Sequence, residues 1–181
     1  MANLILDQQC TTTSSSFNNE YFGYSTNMDE TGETFFPSVS QKLGQITVKI
    51  SKIGSPTDDI KMTLWSVSSH KPVAMLEESS TILDGSTLAG NQEYSFVFSD
   101  TELDSSTEYA WILKRTGAVS TTDSYLINRT NGTDDYSGYA IVGGITCGTH
   151  TTSDRWFMEY YIGPSTITGV STMQGVQTIT L

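Results

Sequence analysis

Charge, histidine and cysteine are scarce in this chain of 181 residues, and each shortage closes off a class of function. Charged residues fill 16% of positions, where about a quarter is usual. Nine Lys and Arg stand against twenty Asp and Glu, a net charge of −11. So few cations form no basic stripe, and the net charge repels phosphate, so no nucleic-acid partner is expected. Two histidines, His70 and His150, and two distant cysteines lack the spacing of a zinc site. There is no H-E-x-x-H, no G-x-S-x-G elbow and no phosphate loop. His150 and Asp154 could be combined with one of 24 serines into a triad, but so many serines make the coincidence uninformative. Asp100, Glu102, Asp104 and Glu108 bracket one turn and read as a solvated loop rather than a glycosidase pair. No catalytic residues, cofactor or metal are assigned, although the doublets Asp58-Asp59 and Asp134-Asp135 have the hard oxygens that calcium prefers. No apolar run nears the ~20 residues of a membrane span, so no membrane partner is expected. Met1 to Asp7 has neither the basic region nor the apolar stretch of a secretory signal.

What is abundant is hydroxyl: Ser and Thr together number 51. These residues compete for helix backbone bonds, and β-branched Thr suits a pleated sheet. Alternation of period two marks the strands. Ile46, Val48 and Ile50 alternate with Thr47, Lys49 and Ser51, and Ile60, Met62 and Leu64 with Lys61, Thr63 and Trp65. Tyr94, Phe96 and Phe98 share a face, as do Tyr109, Trp111 and Leu113, and a further inward face is expected from Trp156, Met158, Tyr160 and Ile162. Less regular strands are expected over 3–9, 21–25, 73–83, 124–128 and 139–142, with helices of a single turn at most. The pattern predicts an all-β, antiparallel two-sheet sandwich with jelly-roll topology over residues 1–163.

Residues 164–181 are expected to be an extended C-terminal arm or a final strand. No charge follows Glu159, and the tail lacks the gatekeeper charges that protect free edges. Ile167, Val170, Met173, Val176, Ile179 and Leu181 are its candidate assembly residues. Cys10 and Cys147 allow one disulfide or two buried thiols. For a sugar ligand, Trp65, Tyr125 and Tyr136 are candidate stacking platforms beside Arg129 and Asp134. The alternative for Trp65 is a place beneath a loop or at a subunit interface. Five of the nine cations, Lys42, Lys49, Lys52, Lys61 and Lys71, fall within thirty residues, as an edge guarded by lysine or a face complementary to a neighbouring copy.

Residues 45–163 resemble jelly-roll domains of carbohydrate-binding-module shape found in bacterial surface proteins and phage particle proteins. The likeness is carried by Ile46-Thr47-Val48-Lys49-Ile50-Ser51-Lys52-Ile53-Gly54-Ser55-Pro56-Thr57-Asp58-Asp59-Ile60, by Met62-Thr63-Leu64-Trp65-Ser66, by Lys71-Pro72-Val73-Ala74-Met75-Leu76, and by Leu103 to Leu113. It departs from them at Asp58, where those domains prefer Gly. The resemblance implies an adhesion, sugar-binding or packing unit. With the uncharged tail and no secretory signal in view, the expectation is a non-enzymatic virion structural protein. Such a capsid decoration or fibre-type subunit would be made in the host cytoplasm, form homo-oligomers and, in the virion, contact other virion or capsid proteins. A free-standing carbohydrate-binding or adhesion module at the extracellular surface, contacting a glycan, is the alternative.

Overall fold

A computed structural model of the chain describes residues 3–11, 18–129, 136–143, 149–150 and 154–164. They form an all-β sandwich of two antiparallel sheets. In the first sheet the spine is β4 (Gln41–Ile53). One edge of β4 carries β7 (Gln92–Val97) and, at its start, β8 (Glu102–Leu103). Its other edge carries two strands end to end, β13 (Phe157–Ile162) and then β10 (Ser124–Arg129). Outside these lie β1 (Leu4–Cys10), paired with β13, and β2 (Asn18–Phe22), paired with β10. The second sheet runs β12 (Thr149–His150), β11 (Ala140–Val142), β3 (Glu30–Phe35), β9 (Tyr109–Arg115), β5 (Asp59–Ser68), β6 (Lys71–Asp84). The only helical turn among the described residues is Gly85–Thr87, and no helix there is long and apolar enough to cross a membrane.

The alternation in β4 and β5 is realised as expected: Ile46, Val48, Ile50, Ile60, Met62 and Leu64 are fully buried in one core between the sheets. The central strand β9 buries both faces, with Trp111 and Leu113 in that core and Ala110 and Ile112 in a second cluster with Ile141, beneath Trp65 and Val67. Two readings are corrected. In β13 it is Phe157 and Glu159 that are fully buried, while Met158 and Tyr160 are partly exposed. Both faces of that strand carry large side chains, so hydrophobicity alone did not choose between them, and Trp156 is covered from outside by Lys49, whose Nζ lies 4.2 Å from the ring centroid. β3 was not foreseen at all. Its sequence is polar, yet all six residues are buried, because Thr31 and Glu33 bond Arg155 and the Thr34 hydroxyl accepts the Tyr139 N–H at 2.8 Å.

The β5–β6 hairpin turns through Ser69 and His70, both with positive φ (52° and 60°), a conformation normally left to Gly or Asn. Tertiary contacts hold it: the His70 ring stacks on Tyr139 at 3.8 Å and its Nδ1 lies 3.0 Å from Glu108. Where β6 meets β7 the two sheets are joined by side chains instead of a ladder. The Glu77 carboxylate accepts the N–H groups of Ser99, Asp100 and Thr101 (2.7, 3.2 and 2.9 Å), and the Thr81 hydroxyl accepts that of Val97 (3.1 Å). Partial burial opposes ionisation of Glu77, yet these N–H groups outweigh it and hold the carboxyl below its usual value.

One end of the sandwich is organised by Arg115, at the end of β9. Its Nε and Nη2 donate to Asp58 (2.8 and 2.6 Å), and its Nη1 donates to the carbonyls of Gly23 and Asp123. The Tyr125 hydroxyl donates to the Asp58 carbonyl (2.7 Å), and Gly85 packs so closely there that a Cβ would overlap that hydroxyl. Burial pushes the Asp58 carboxyl up, but Arg115, Gly117 N–H and Tyr125 more than compensate and it lies below its ordinary value. Asp58→Ala strands a guanidinium that is only 7% exposed, and it is expected to cost about 3 kcal/mol in urea denaturation at pH 7. Because a depressed carboxyl stabilises only while ionised, the gap between variant and parent should narrow as the pH falls below 3.8.

Candidate functional site

The outer face of the second sheet carries a groove of about 440 Å³. Its floor is set by strand register: Trp65 of β5 lies between Ala110 of β9 and Met75 of β6, and Lys61 is opposite Lys114. The Trp65 indole N–H donates to the Thr63 hydroxyl at 2.8 Å, which fixes the ring over Ala110, Ile112 and Ile141. The walls are charged but internally neutralised. Lys61 pairs with Glu78 (2.7 Å), Lys114 with Glu30 (2.5 Å), and Arg115 is engaged by Asp58. The bond to Glu30 holds the Lys114 ammonium above its usual value. An aromatic and thioether floor between self-compensated ion pairs suits an uncharged ligand or chain, since it offers no net charge and no nucleophile beside a base.

The residues singled out for sugar binding do not converge. Trp65 alone lines the groove. Tyr125 is corrected: it is fully buried, stacked on Phe22 with ring centroids 5.3 Å apart, and burial followed by the Asp58 carboxylate pushes its hydroxyl up. Tyr136, partly buried, packs edge-on against Phe157 at 5.0 Å on the border of the core, so its ring is engaged in packing. Arg129 lies 3.5 Å from Glu20, in a cluster where the fully buried Arg155 also bonds Glu20 and Thr31. Asp134 lies outside the described residues, as do Cys147, and with it the pairing with buried Cys10, and the arm residues Ile167, Val170, Met173, Val176, Ile179 and Leu181. Asp154 accepts the Tyr136 N–H at 2.9 Å. Sequence reading missed Met75, Glu78, Lys114 and Glu30 as companions of Trp65. The outward alternation Lys61, Thr63, Trp65 was visible, but which side chains of β6 face it depends on three register shifts in the β5–β6 pair.

A second polar constellation lies where β1, β13 and β4 meet. A bulge between Leu6 and Gln8 breaks the alternation of β1 at Asp7. Gln41 Nε2 donates to both Asp7 (2.9 Å) and the fully buried Glu159 (3.3 Å), and Ser38 donates its N–H and hydroxyl to Asp7. Burial, reinforced by the Asp7 carboxylate, pushes Glu159 up to about 9. Glu159 therefore keeps its proton at neutral pH. Among the described residues no group of three or more His, Cys, Asp or Glu could hold a metal ion.

No family model matches the chain, and no curated protein matches it.

A raised carboxyl makes folding take up a proton between its unfolded value of 4.5 and its folded value of about 9, so stability falls with rising pH across that window. Glu159→Gln keeps the acceptor for Gln41 and a donor for Asp7 without the titration. It is expected to raise stability by ~1–3 kcal/mol at pH 8 and to change little at pH 4, as read by thermal melts at both values.

Proposed function

We propose that the chain is a non-enzymatic virion structural protein, a capsid decoration or fibre-type subunit that presents the sandwich as a jelly-roll head and associates with its own copies. One observation carries the reading. The outermost strand of the second sheet, β6, leaves Val73, Met75, Leu76 and Ile82 exposed at 61, 55, 43 and 53% of their surface. Four large apolar side chains on one edge strand are what a protein that works alone avoids and an assembly covers. The charge-free residues 165–181 support it from the sequence side. The second reading, a carbohydrate-binding or adhesion module, is favoured by the groove over Trp65.

Light scattering coupled to size-exclusion chromatography separates them. The assembly subunit is expected to elute as an oligomer at tens of micromolar, and a chain ending at Pro164 as a monomer. A monomeric full-length chain overturns the assembly reading. Binding to a glycan array that is lost in Trp65→Ala supports the second reading in its place.

A further inference from the structure

The groove and the tail match one another in chemistry and in position. Trp65 and Met75 give the groove an apolar floor, and its ion pairs leave no net charge to satisfy. Residues 165–181 bear no charge, and Ile167, Val170, Met173, Val176 and Ile179 recur at every third position. A period of three fits neither a strand nor an α-helix; in an extended chain with three residues per turn and a rise of ~3.1 Å it sets the five side chains along one edge. The tail starts at the end of the sandwich where the apolar floor lies. Ile162 pairs with Leu4 and Tyr161 with Leu43, at the beginning of β4. β9 also begins at this end, and Trp65 pairs with its second residue, Ala110. The tail nevertheless leaves beside β1, at the edge of the first sheet opposite β7, whereas the groove lies beside β6, which packs on β7. Its own groove is thus across the full width of the sandwich and on the outer face of the other sheet.

We propose that residues 165–181 of one copy lie in the groove of a neighbouring copy, with the apolar edge over Trp65 and Met75 and the hydroxyls against the Lys61–Glu78 and Lys114–Glu30 pairs. This rests on the assembly reading and names its contact surface. Arms exchanged between two copies close into a two-fold dimer, and arms passed onward from copy to copy close into a ring or continue as an open chain. The same groove is then closed to a glycan.

The test compares the association of four chains by light scattering: the full chain, a chain ending at Pro164, Met75→Glu, and Leu6→Glu on the opposite edge. Met75 and Leu6 are 55 and 43% exposed, so neither change disturbs the core, and thermal melts verify this. The truncated chain and Met75→Glu are each expected to associate at least ~tenfold more weakly than the full chain, with Leu6→Glu unaffected. A synthetic peptide of residues 165–181 should bind the truncated chain and not its Met75→Glu form. Assembly that needs the tail but survives Met75→Glu, or that is lost in Leu6→Glu instead, overturns the groove and leaves the assembly reading standing. A monomeric full chain overturns both.

Discussion

The ion pair between Arg115 and Asp58 is the contact on which one end of the sandwich depends. Five segments meet there: the turn before β5, the end of β9, the start of β10, the helical turn after β6 and the loop after β2. Arg115 donates to the Asp123 carbonyl and joins the Ser120 N–H on that of Gly23, which keeps these backbone acceptors partnered where the segments meet. A planar guanidinium can do this because its donors diverge in a fixed fork, which a lysine could not imitate. Asp58, one of the acidic doublets with calcium-like oxygens, is committed to that guanidinium. The residue at which the chain departs from the resembling domains is therefore the one that its own architecture uses most.

The hydroxyl-rich composition has a structural counterpart. Where an ordinary sandwich would bury aliphatic side chains or extend a ladder, this one inserts short polar bonds. Thr31, Thr34, Thr81, Ser80 and Thr116 each bond backbone or buried charge. Asp84 and Asp104 each take the hydroxyl and N–H of the serine two residues on, closing turns. Two acids lie fully buried in this interior, Glu33 accepting the Arg155 N–H and Glu159 the Gln41 amide. They do so at a cost: burial pushes Glu33 well up against the counter-pull of Arg155, and burial beside Asp7 pushes Glu159 up to about 9.

Much of the fold was legible because β5 and the middle of β4 alternate apolar and polar residues, and a strand with one apolar face has one register that buries it. β3 was illegible for the opposite reason. Glu30-Thr31-Gly32-Glu33-Thr34-Phe35 announces solvent, and only partners distant in sequence, Arg155 and Tyr139 among them, make its burial tolerable. Of the candidate site, Trp65 was readable as an outward aromatic, but not the groove, since bulges decide what lies beside it. Tyr125 was misread because a tyrosine in a polar stretch looks exposed, when its hydroxyl had a buried acceptor at Asp58.

The pairing of β1 with β13 joins the first described strand to the last, and among the described residues β1 pairs with no other strand. During synthesis β1 emerges long before β13, its partner among the described strands. Throughout that interval Leu4, Leu6 and the row of unpaired amides beside them stand open to any passing edge, whether of the same chain or of another copy. The bulge at Asp7 bears on this interval as well as on the finished fold. It interrupts the flat hydrogen-bonding row that a wrong partner would need, and the right partner is recognised by bringing Glu159 opposite the break. The last strand thus completes a sheet and also ends the period in which the first is available to be mispaired.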